Sequence, residues 1–327
     1  MSDADWKHRP EGGGRIAVRL IAAIARHGGR RIARLCLYPI TAYFLLVRGS
    51  ERRASRAYLG RVLGRRAGLW DVARHIHSFA ATILDRLFLL GGRMGLFDIR
   101  TEGTQQLLDL LDEGRGVLLF GSHLGSFDAL RALGRQRPGL KLRVLLDRAH
   151  NAAITDVLAE LDPGLAAGII DAGQGGPVVV LAIQQALEEG ALVALLVDRA
   201  RPGEAALPAP LLGVPAPFPT APWLIASVLK APVMLAFGLY RGGNRYDLLF
   251  EPFAPVVEVP RAQRTEALSV LVHRYAGRLE QHLRGAPWNW FNFYDFWHSE
   301  ASLPAPLDAG GISGRRLRQR TGDGGRR

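Results

Sequence analysis

Residues 116–128 of this 327-residue chain read GVLLFGSHLGSFD, an apolar run that ends in glycine and serine. Consecutive apolar residues without polar alternation are typical of a strand that is buried on both faces. Gly121 and Ser122 end the run, and these residue types are frequent where a strand turns into a loop. The stretch predicts a central strand of an α/β sheet, with His123 in the loop that follows.

Short strand-like runs alternate with helical patterns on both sides of this stretch. The predicted strands are 117–120, 142–146, 168–170, 192–197, 233–237 and 246–250. The predicted helices are 67–93, 127–134, 151–161, 177–188, 220–230 and 264–284, and residues 213–220, with three prolines, predict a rigid loop. Alternation of this kind indicates an α/β fold: a three-layer sandwich with a mostly parallel central sheet and reactive loops at the strand ends.

Charge is concentrated at the two ends of the chain. Residues 1–66 carry 15 Lys and Arg against 4 Asp and Glu, and residues 314–327 carry six Arg against one Asp. The net charge of +12 therefore leaves −4 for the body between them. A nucleic-acid-binding enzyme would carry its positive charge around the working cleft, so this pattern favours an anionic membrane surface as partner and disfavours nucleic acid.

The amino-terminal segment predicts an interfacial or half-inserted membrane anchor. On a helical wheel, Arg19, Arg26, Arg30 and Arg34 fall within one sector, and Gly28-Gly29 is a possible break between two helices. The apolar run 35–47 is too short for a membrane span, which needs about 20 residues. The alternative is a basic helix packed on the domain. The single cysteine, Cys36, excludes internal disulfides and fits a reducing cytoplasm.

Three regions follow from these patterns. Residues 1–66 are predicted as the membrane-anchoring segment of helices, residues 67–302 as the catalytic domain, and residues 303–327 as a disordered basic tail. The aromatic cluster 288–297 has two open interpretations. It lines an acyl channel or the lipid–water boundary, or it is an ordinary part of the core.

His123 and Asp128 form an H-x-x-x-x-D pattern at the end of the central strand. Imidazole is the side chain best suited to take a proton from an acceptor hydroxyl near neutral pH. A carboxylate five residues later can bind the second ring nitrogen and stabilise the imidazolium. The alternative is a loop histidine followed by an Asp that caps a helix. Backbone N–H groups near 121–125 are candidate oxyanion donors.

Several segments, in this order, resemble the lysophospholipid acyltransferase superfamily, and within it the lipid A late acyltransferase (lauroyl/myristoyl transferase) family. They are 37–46, the His123/Asp128 motif, 145–148, 195–199, 212–220 and 231–234. The resemblance implies acyl transfer from acyl carrier protein or acyl-CoA to a hydroxyl or amine of a membrane lipid, without an acyl-enzyme or a bound cofactor. The Pro-Glu-Gly block of many glycerolipid members is absent, and the aromatic ending is more similar to acyltransferases encoded with aryl-polyene lipids, which leaves the acceptor open.

Arg148, Asp198 and Arg199 follow predicted strands and are the candidate substrate-binding residues. The carboxyl ends of parallel strands converge on one cleft, so all three are expected near His123. A guanidinium there can bind a phosphate of the acceptor or of phosphopantetheine. The alternative is a structural Arg–Asp pair. Family resemblance favours Arg148 as a binding residue.

The sequence thus predicts a peripheral or half-inserted acyltransferase at the cytoplasmic face of the inner membrane, with His123 and Asp128 as its catalytic dyad. A thioesterase-like hydrolase and a non-catalytic membrane adapter are the alternatives. No histidine spacing suggests a metal site. Without a P-loop, a G-x-G-x-x-G or a G-x-S-x-G pattern, neither nucleotide chemistry nor a serine hydrolase of the α/β type is indicated.

Overall fold

The computed structural model describes residues 15–132, 137, 139–148, 160, 163–201 and 203–297. The strands are β1 (Asp98–Glu102), β2 (Val117–Gly121), β3 (Leu142–Leu146), β4 (Ile169–Asp171), β5 (Leu192–Leu196), β6 (Ala206–Leu211), β7 (Val214–Pro219), β8 (Val233–Tyr240) and β9 (Arg245–Ala254). The helices are α1 (Arg15–Leu35), α2 (Leu37–Val47), α3 (Gly49–Leu63), α4 (Leu69–Leu90), α5 (Thr104–Asp112), α6 (Pro163–Ala167), α7 (Gly176–Glu188), α8 (Ala221–Leu229) and α9 (Arg264–Gly285).

Seven of these strands form one mostly parallel sheet, as the sequence predicted. Their order is β1-β9-β8-β2-β5-β3-β4, and only β8 and β9 pair antiparallel. Strand β2 lies in the middle of the sheet, between β8 and β5, and runs parallel to both. The carboxyl ends of β2 and β5 are therefore neighbours at one edge of the sheet, where their following loops meet.

Apolar clusters cover both faces of the sheet. Leu118 and Phe120 of β2 pack into one cluster, together with buried residues of α3, α7, α8 and α9. Val117 and Leu119 pack into the other cluster, together with α1, α4 and α5. Every residue of β2 is buried. This two-sided burial explains why the strand is apolar throughout instead of alternating with polar residues.

Strand β1 and the hairpin β6–β7 are absent from the prediction made from the sequence. Strand β1, with the sequence DIRTE, is a polar edge strand next to β9 and carries little apolar signal. Residues 213–220, predicted as a rigid loop, instead belong largely to the antiparallel hairpin β6–β7. Three prolines of this hairpin, Pro208, Pro210 and Pro215, are exposed and alternate with less exposed residues. The ladder of a two-stranded ribbon tolerates their missing N–H groups.

The other predicted strands are found, with ends that differ by up to four residues. The predicted helices at 67–93, 177–188, 220–230 and 264–284 correspond to α4, α7, α8 and α9. The helix predicted at 127–134 is a 3-10 helix over Phe127–Ala132. The helix predicted at 151–161 and the tail at 303–327 lie outside the described residues, apart from residue 160.

Helix α1 is tied to the domain by arginines that the helical wheel assigned to a basic face. The predicted break exists, because Gly29 has φ 73° and ψ 177° inside α1. After it, Arg30 donates two hydrogen bonds, of 2.7 and 2.8 Å, to the fully buried carboxylate of Asp85, which also accepts one from Tyr246. Arg34 bonds the Tyr240 hydroxyl at 3.1 Å. These two arginines therefore face the domain, not a membrane headgroup.

Helices α1 and α2 also carry exposed apolar residues. Leu35, Tyr38, Leu46 and Val47 are each more than half exposed. None of the helices that the structure describes is both long and apolar enough to cross a membrane. Helix α3, in contrast, contributes Tyr58 to the main core. The division of the chain at residue 66 stays a prediction.

Candidate active site

The loop after β2 is held in place by main-chain hydrogen bonds to two other elements. The N–H of Gly125 donates to the carbonyl of Asn289 at 2.8 Å, and the N–H of Ser126 donates to the carbonyl of Gly238 at 2.7 Å. The His123 carbonyl accepts from the N–H of Phe291 at 3.0 Å. Strand β8 and the segment after α9 thus fix the backbone on both sides of His123.

Two glycines make this close approach possible. Gly125 has φ 75°, and a Cβ there would lie 1.9 Å from the carbonyl oxygen of Gly238. A Cβ at Gly238 would lie 2.1 Å from the carbonyl oxygen of Ser126. Neither backbone oxygen can move away, because each belongs to the hydrogen-bonded frame of the loop. Any side chain at these positions would displace the loop that carries His123.

His123 is paired with Asp198, which lies just after β5, the strand beside β2. The His123 Nδ1–H donates to Asp198 Oδ1 at 2.7 Å. The other carboxylate oxygen, Oδ2, accepts the backbone N–H of His123 at 3.1 Å and the indole N–H of Trp290 at 3.0 Å. Asp198 is fully buried, whereas the His123 side chain is 33% exposed. The imidazole therefore has one edge against the protein and one edge that solvent can reach.

The charges around the pair favour a neutral imidazole and an ionised carboxylate. Burial lowers the pKa of His123, and the guanidinium of Arg199 lowers it further, which outweighs the opposing effect of Asp198. Burial by itself would raise the pKa of Asp198, but His123, Arg199 and the Trp290 indole hold it well below its usual range. Because Nδ1 carries its proton towards Asp198, the lone pair lies on Nε2. The described residues offer Nε2 no hydrogen-bond partner, so it is available to a substrate.

The predicted hydrogen bond between His123 and Asp128 is wrong. Asp128 Oδ2 instead accepts from Arg86 Nε of α4 at 2.6 Å, and both side chains are partly exposed. The single proton on His123 Nδ1 is already donated to Asp198. The reason is geometric: Asp128 is the second residue of a 3-10 helix that lies against α4, whereas Asp198 lies just after the strand directly beside β2.

The predicted substrate-binding residues occupy three different settings. Asp198, being fully buried behind the imidazole, is not at a substrate-binding surface, which corrects that prediction. Arg199 is half-buried next to His123; one of its nitrogens donates to the carbonyl of Phe291 at 2.9 Å, and its guanidinium lies 5.5 Å from the Tyr294 ring centre. Arg148 is exposed after β3, and its guanidinium contacts the carbonyls of Ala166 and Ile169 at 3.5 Å.

Two backbone groups considered as oxyanion donors are already in use. The N–H of His123 donates to Asp198, and the N–H of Gly125 donates to Asn289. Arg199 offers an alternative donor, because its Nε is buried without a hydrogen-bond partner among the described residues. The described part of the chain contains no group of three or more side chains suited to hold a metal ion.

Sequence reasoning missed three residues of this site: Trp290, Asn289 and Arg86. In the sequence, Trp290 is one member of the aromatic run 288–297, whose two interpretations are an acyl channel or lipid–water boundary and an ordinary part of the core. In the structure Trp290 and Phe296 are buried in the main core. A tryptophan indole N–H needs a partner when it is buried, and that requirement was the available signal. Nothing in the spacing identified Asp198 as the partner.

A sequence model of the bacterial lipid A biosynthesis acyltransferase family matches residues 91–299, a span that contains every residue of the site except Arg86. No curated protein matches the chain.

Proposed function

Since the chain belongs to the bacterial lipid A biosynthesis acyltransferase family and is therefore an acyltransferase, we propose that His123 is the general base of its acyl transfer. The donor is a thioester of acyl carrier protein or coenzyme A, and the acceptor is a hydroxyl or amine of a lipid A-like membrane lipid. The observation that supports this most is the His123–Asp198 pair, in which a buried carboxylate fixes Nδ1–H and leaves Nε2 accessible.

The reaction needs one proton to move twice. His123 Nε2 takes the proton of the acceptor hydroxyl while its oxygen attacks the thioester carbonyl carbon. The tetrahedral oxyanion then collapses and the C–S bond breaks. The departing thiolate receives the proton from Nε2–H of His123, so the imidazole is neutral again at the end. Asp198 stabilises the imidazolium between the two transfers without accepting the proton itself, as in a Ser-His-Asp triad.

A neutral histidine suits this role better than an imidazolium. The lowered pKa of His123 keeps Nε2 unprotonated near neutral pH, where the acceptor must be deprotonated. Positioned general-base catalysis contributes about 10²–10⁴-fold to a rate. Arg199, beside the imidazole and with a buried unpaired Nε, is suited to stabilise the oxyanion or to bind a substrate phosphate.

The test of this function is His123→Ala in the full chain, assayed with acyl carrier protein thioesters, acyl-CoA and lipid A precursors, with the products identified by mass spectrometry. Transfer should fall by about 10² or more. His282→Ala is the matched control, because His282 also pairs with a carboxylate, Glu251, at 2.8 Å and is also partly enclosed. It lies on α9, and its activity should stay close to that of the unchanged chain. More than about a tenth of the activity in His123→Ala would contradict the proposal.

The same assay separates transfer from hydrolysis. A thioesterase-like enzyme would release free fatty acid from the thioester at a rate that does not depend on the lipid acceptor. A transferase releases acyl groups mainly when an acceptor is present. A membrane adapter would show neither reaction, and His123→Ala would leave its lipid binding unchanged.

We further propose that α1 and α2 bind the cytoplasmic face of the inner membrane. Leu46 and Val47 are 80% and 58% exposed, so insertion of such side chains into the headgroup region would remove apolar surface from water. Exposed arginines on α1, including Arg26 and Arg31, add attraction to anionic lipids, worth about 1 kcal/mol each near the surface.

Vesicle flotation of the full chain tests this placement. The double variant Leu46→Glu, Val47→Glu should lose most binding to anionic vesicles, and high salt should release the unchanged chain only in part because apolar insertion is not screened. Val270→Glu is the control, since Val270 is 63% exposed on α9, outside the two helices proposed to bind the membrane. Equal flotation of the double variant and the control would contradict the placement.

A further inference from the structure

The segment after α9 brings Trp290 against the candidate catalytic pair. Trp290 has no exposed surface, and its Nε1–H donates to Asp198 Oδ2 at 3.0 Å. Its backbone is in register with the loop that carries His123, through a bridge between Leu124 and Trp290. Trp290 therefore touches the carboxylate and not the imidazole.

Both oxygens of Asp198 have defined partners in this arrangement. Oδ2 accepts two N–H groups, one from the Trp290 indole and one from the His123 backbone. Oδ1 is left to accept the Nδ1–H of His123. A carboxylate with two donors on one oxygen cannot rotate without breaking both bonds, so its remaining oxygen keeps a fixed direction.

We propose that Trp290 is a positioning residue for acyl transfer: its indole N–H fixes the orientation of Asp198 and, through it, the tautomer and ring orientation of His123. This inference rests on the proposed function. Trp290 acts through Asp198 and has no contact with the reacting atoms. Loss of the indole N–H should therefore change the turnover of bound substrate more than the binding of substrate.

Helices α3 and α4 hold Trp290 in place from the other side. The Trp290 carbonyl accepts from His75 Nε2 at 2.9 Å, and His75 Nδ1 pairs with Ser55 Oγ at 2.8 Å. Burial lowers the pKa of His75 to about 4, so this histidine stays neutral at physiological pH. The indole also packs against Tyr58 and Phe296, at 5.1 and 4.7 Å between ring centres. The position of the N–H donor is thus defined by a buried and uncharged frame.

The groups around the His123–Asp198 pair determine how the pKa of His123 should change when the indole N–H of Trp290 is removed. The charged groups that face it are Asp198, Arg199 and Arg86, and Arg86 is paired with Asp128. Tyr275 and Tyr294 face Asp198 and are protonated, because burial raises the pKa of each hydroxyl. Removing the indole N–H deprives the carboxylate of one donor and makes it a stronger partner for the imidazolium. The pKa of His123 should therefore rise, and the acidic limb of the activity profile should move to higher pH.

The test is Trp290→Phe in the full chain, with Trp223→Phe as the matched control. Trp223 is also a fully buried tryptophan, but its ring contacts are with Phe120, Phe253 and Tyr275. For Trp290→Phe, kcat should fall about tenfold or more, the effect of one hydrogen bond to a charged group, and KM should change less than about twofold. The pKa of His123, measured by NMR titration, should be higher in Trp290→Phe than in the unchanged chain. The control should show neither change.

Benzothienylalanine at position 290 serves as a second variant should Trp290→Phe fold poorly. It keeps both rings and replaces N–H by sulfur, so it removes the donor with little change of shape. An unchanged kcat, or a lower kcat without a shift of the His123 titration, would overturn the inference and leave Trp290 as a packing residue. Failure of the proposed function is distinguishable, because it appears as retained activity in His123→Ala, whereas the titration of His123 does not depend on activity.

Discussion

Asp198→Asn is the substitution whose outcome the structure defines most sharply. The asparagine amide has one oxygen and one NH₂ group in place of two equivalent oxygens. The two N–H groups that meet Oδ2, from the His123 backbone and the Trp290 indole, require an oxygen there. The amide NH₂ must then face His123 Nδ1, which has to become the acceptor. The imidazole proton moves to Nε2, and the nitrogen that should take the proton of the acceptor is lost.

The expected magnitude has two parts. The charge-assisted hydrogen bond at 2.7 Å between Nδ1–H and the carboxylate is worth about 1.5–3 kcal/mol, or about 10–150-fold in rate. The wrong tautomer adds to this, up to the whole general-base contribution. We therefore expect kcat to fall by about 10²–10⁴-fold. Without the carboxylate charge the pKa of His123 falls, so the acidic limb of any residual activity should move to lower pH.

The assay is single-turnover acyl transfer from a radiolabelled thioester to the lipid acceptor, as a function of pH. Asp128→Asn is the comparison variant, because Asp128 is the neighbouring carboxylate in sequence but is paired with Arg86. Its activity should fall much less than that of Asp198→Asn. A loss in Asp128→Asn that equals or exceeds the loss in Asp198→Asn would refute the assignment of Asp198 to the imidazole. It would restore the prediction made from the H-x-x-x-x-D spacing.

Two further predictions concern stability, and one concerns transfer. The folded pKa of His75, about 4, lies below its unfolded value, so protons bind preferentially to the unfolded chain between about pH 6.5 and 4. The free energy of unfolding of the unchanged chain should therefore fall by up to about 3 kcal/mol over this range. His75→Gln should make this fall smaller, as measured by urea unfolding. Gly125→Ala should abolish transfer, since its Cβ would overlap the Gly238 carbonyl; near-normal turnover would contradict the frame described for the loop. Asp85→Asn removes the counter-charge of the nearly buried guanidinium of Arg30 and should lower the free energy of unfolding by about 3–5 kcal/mol. A change below about 1 kcal/mol in chemical denaturation would show that this ion pair does not hold α1 on the domain.

Local patterns in the sequence identified most of the sheet. Strands β2 and β5 were recognisable because burial on both faces leaves no polar position, and β3 was placed with its observed bounds. Strand β1 and the hairpin β6–β7 were missed because edge strands tolerate charges and prolines, which weaken the apolar signal. The membrane assignment of the arginines in α1 was partly wrong, since a helical wheel shows which residues share a face and not what that face meets. Arg30 meets a buried carboxylate that lies 55 positions later in the chain.

The sequence by itself determined the fold class, the family and the position of His123, because each depends on residues that are close together along the chain. Only the tertiary structure decided which carboxylate serves His123. Asp128 is five positions away but turns towards α4, whereas Asp198 is 75 positions away and lies just after β5, the parallel strand adjacent to β2. The orientation of Asp198 depends in turn on Trp290, a further 92 positions along. Hydrogen bonds of this kind form between whichever groups the sheet register brings within 3 Å, and register is a property of the packed chain that no local spacing encodes.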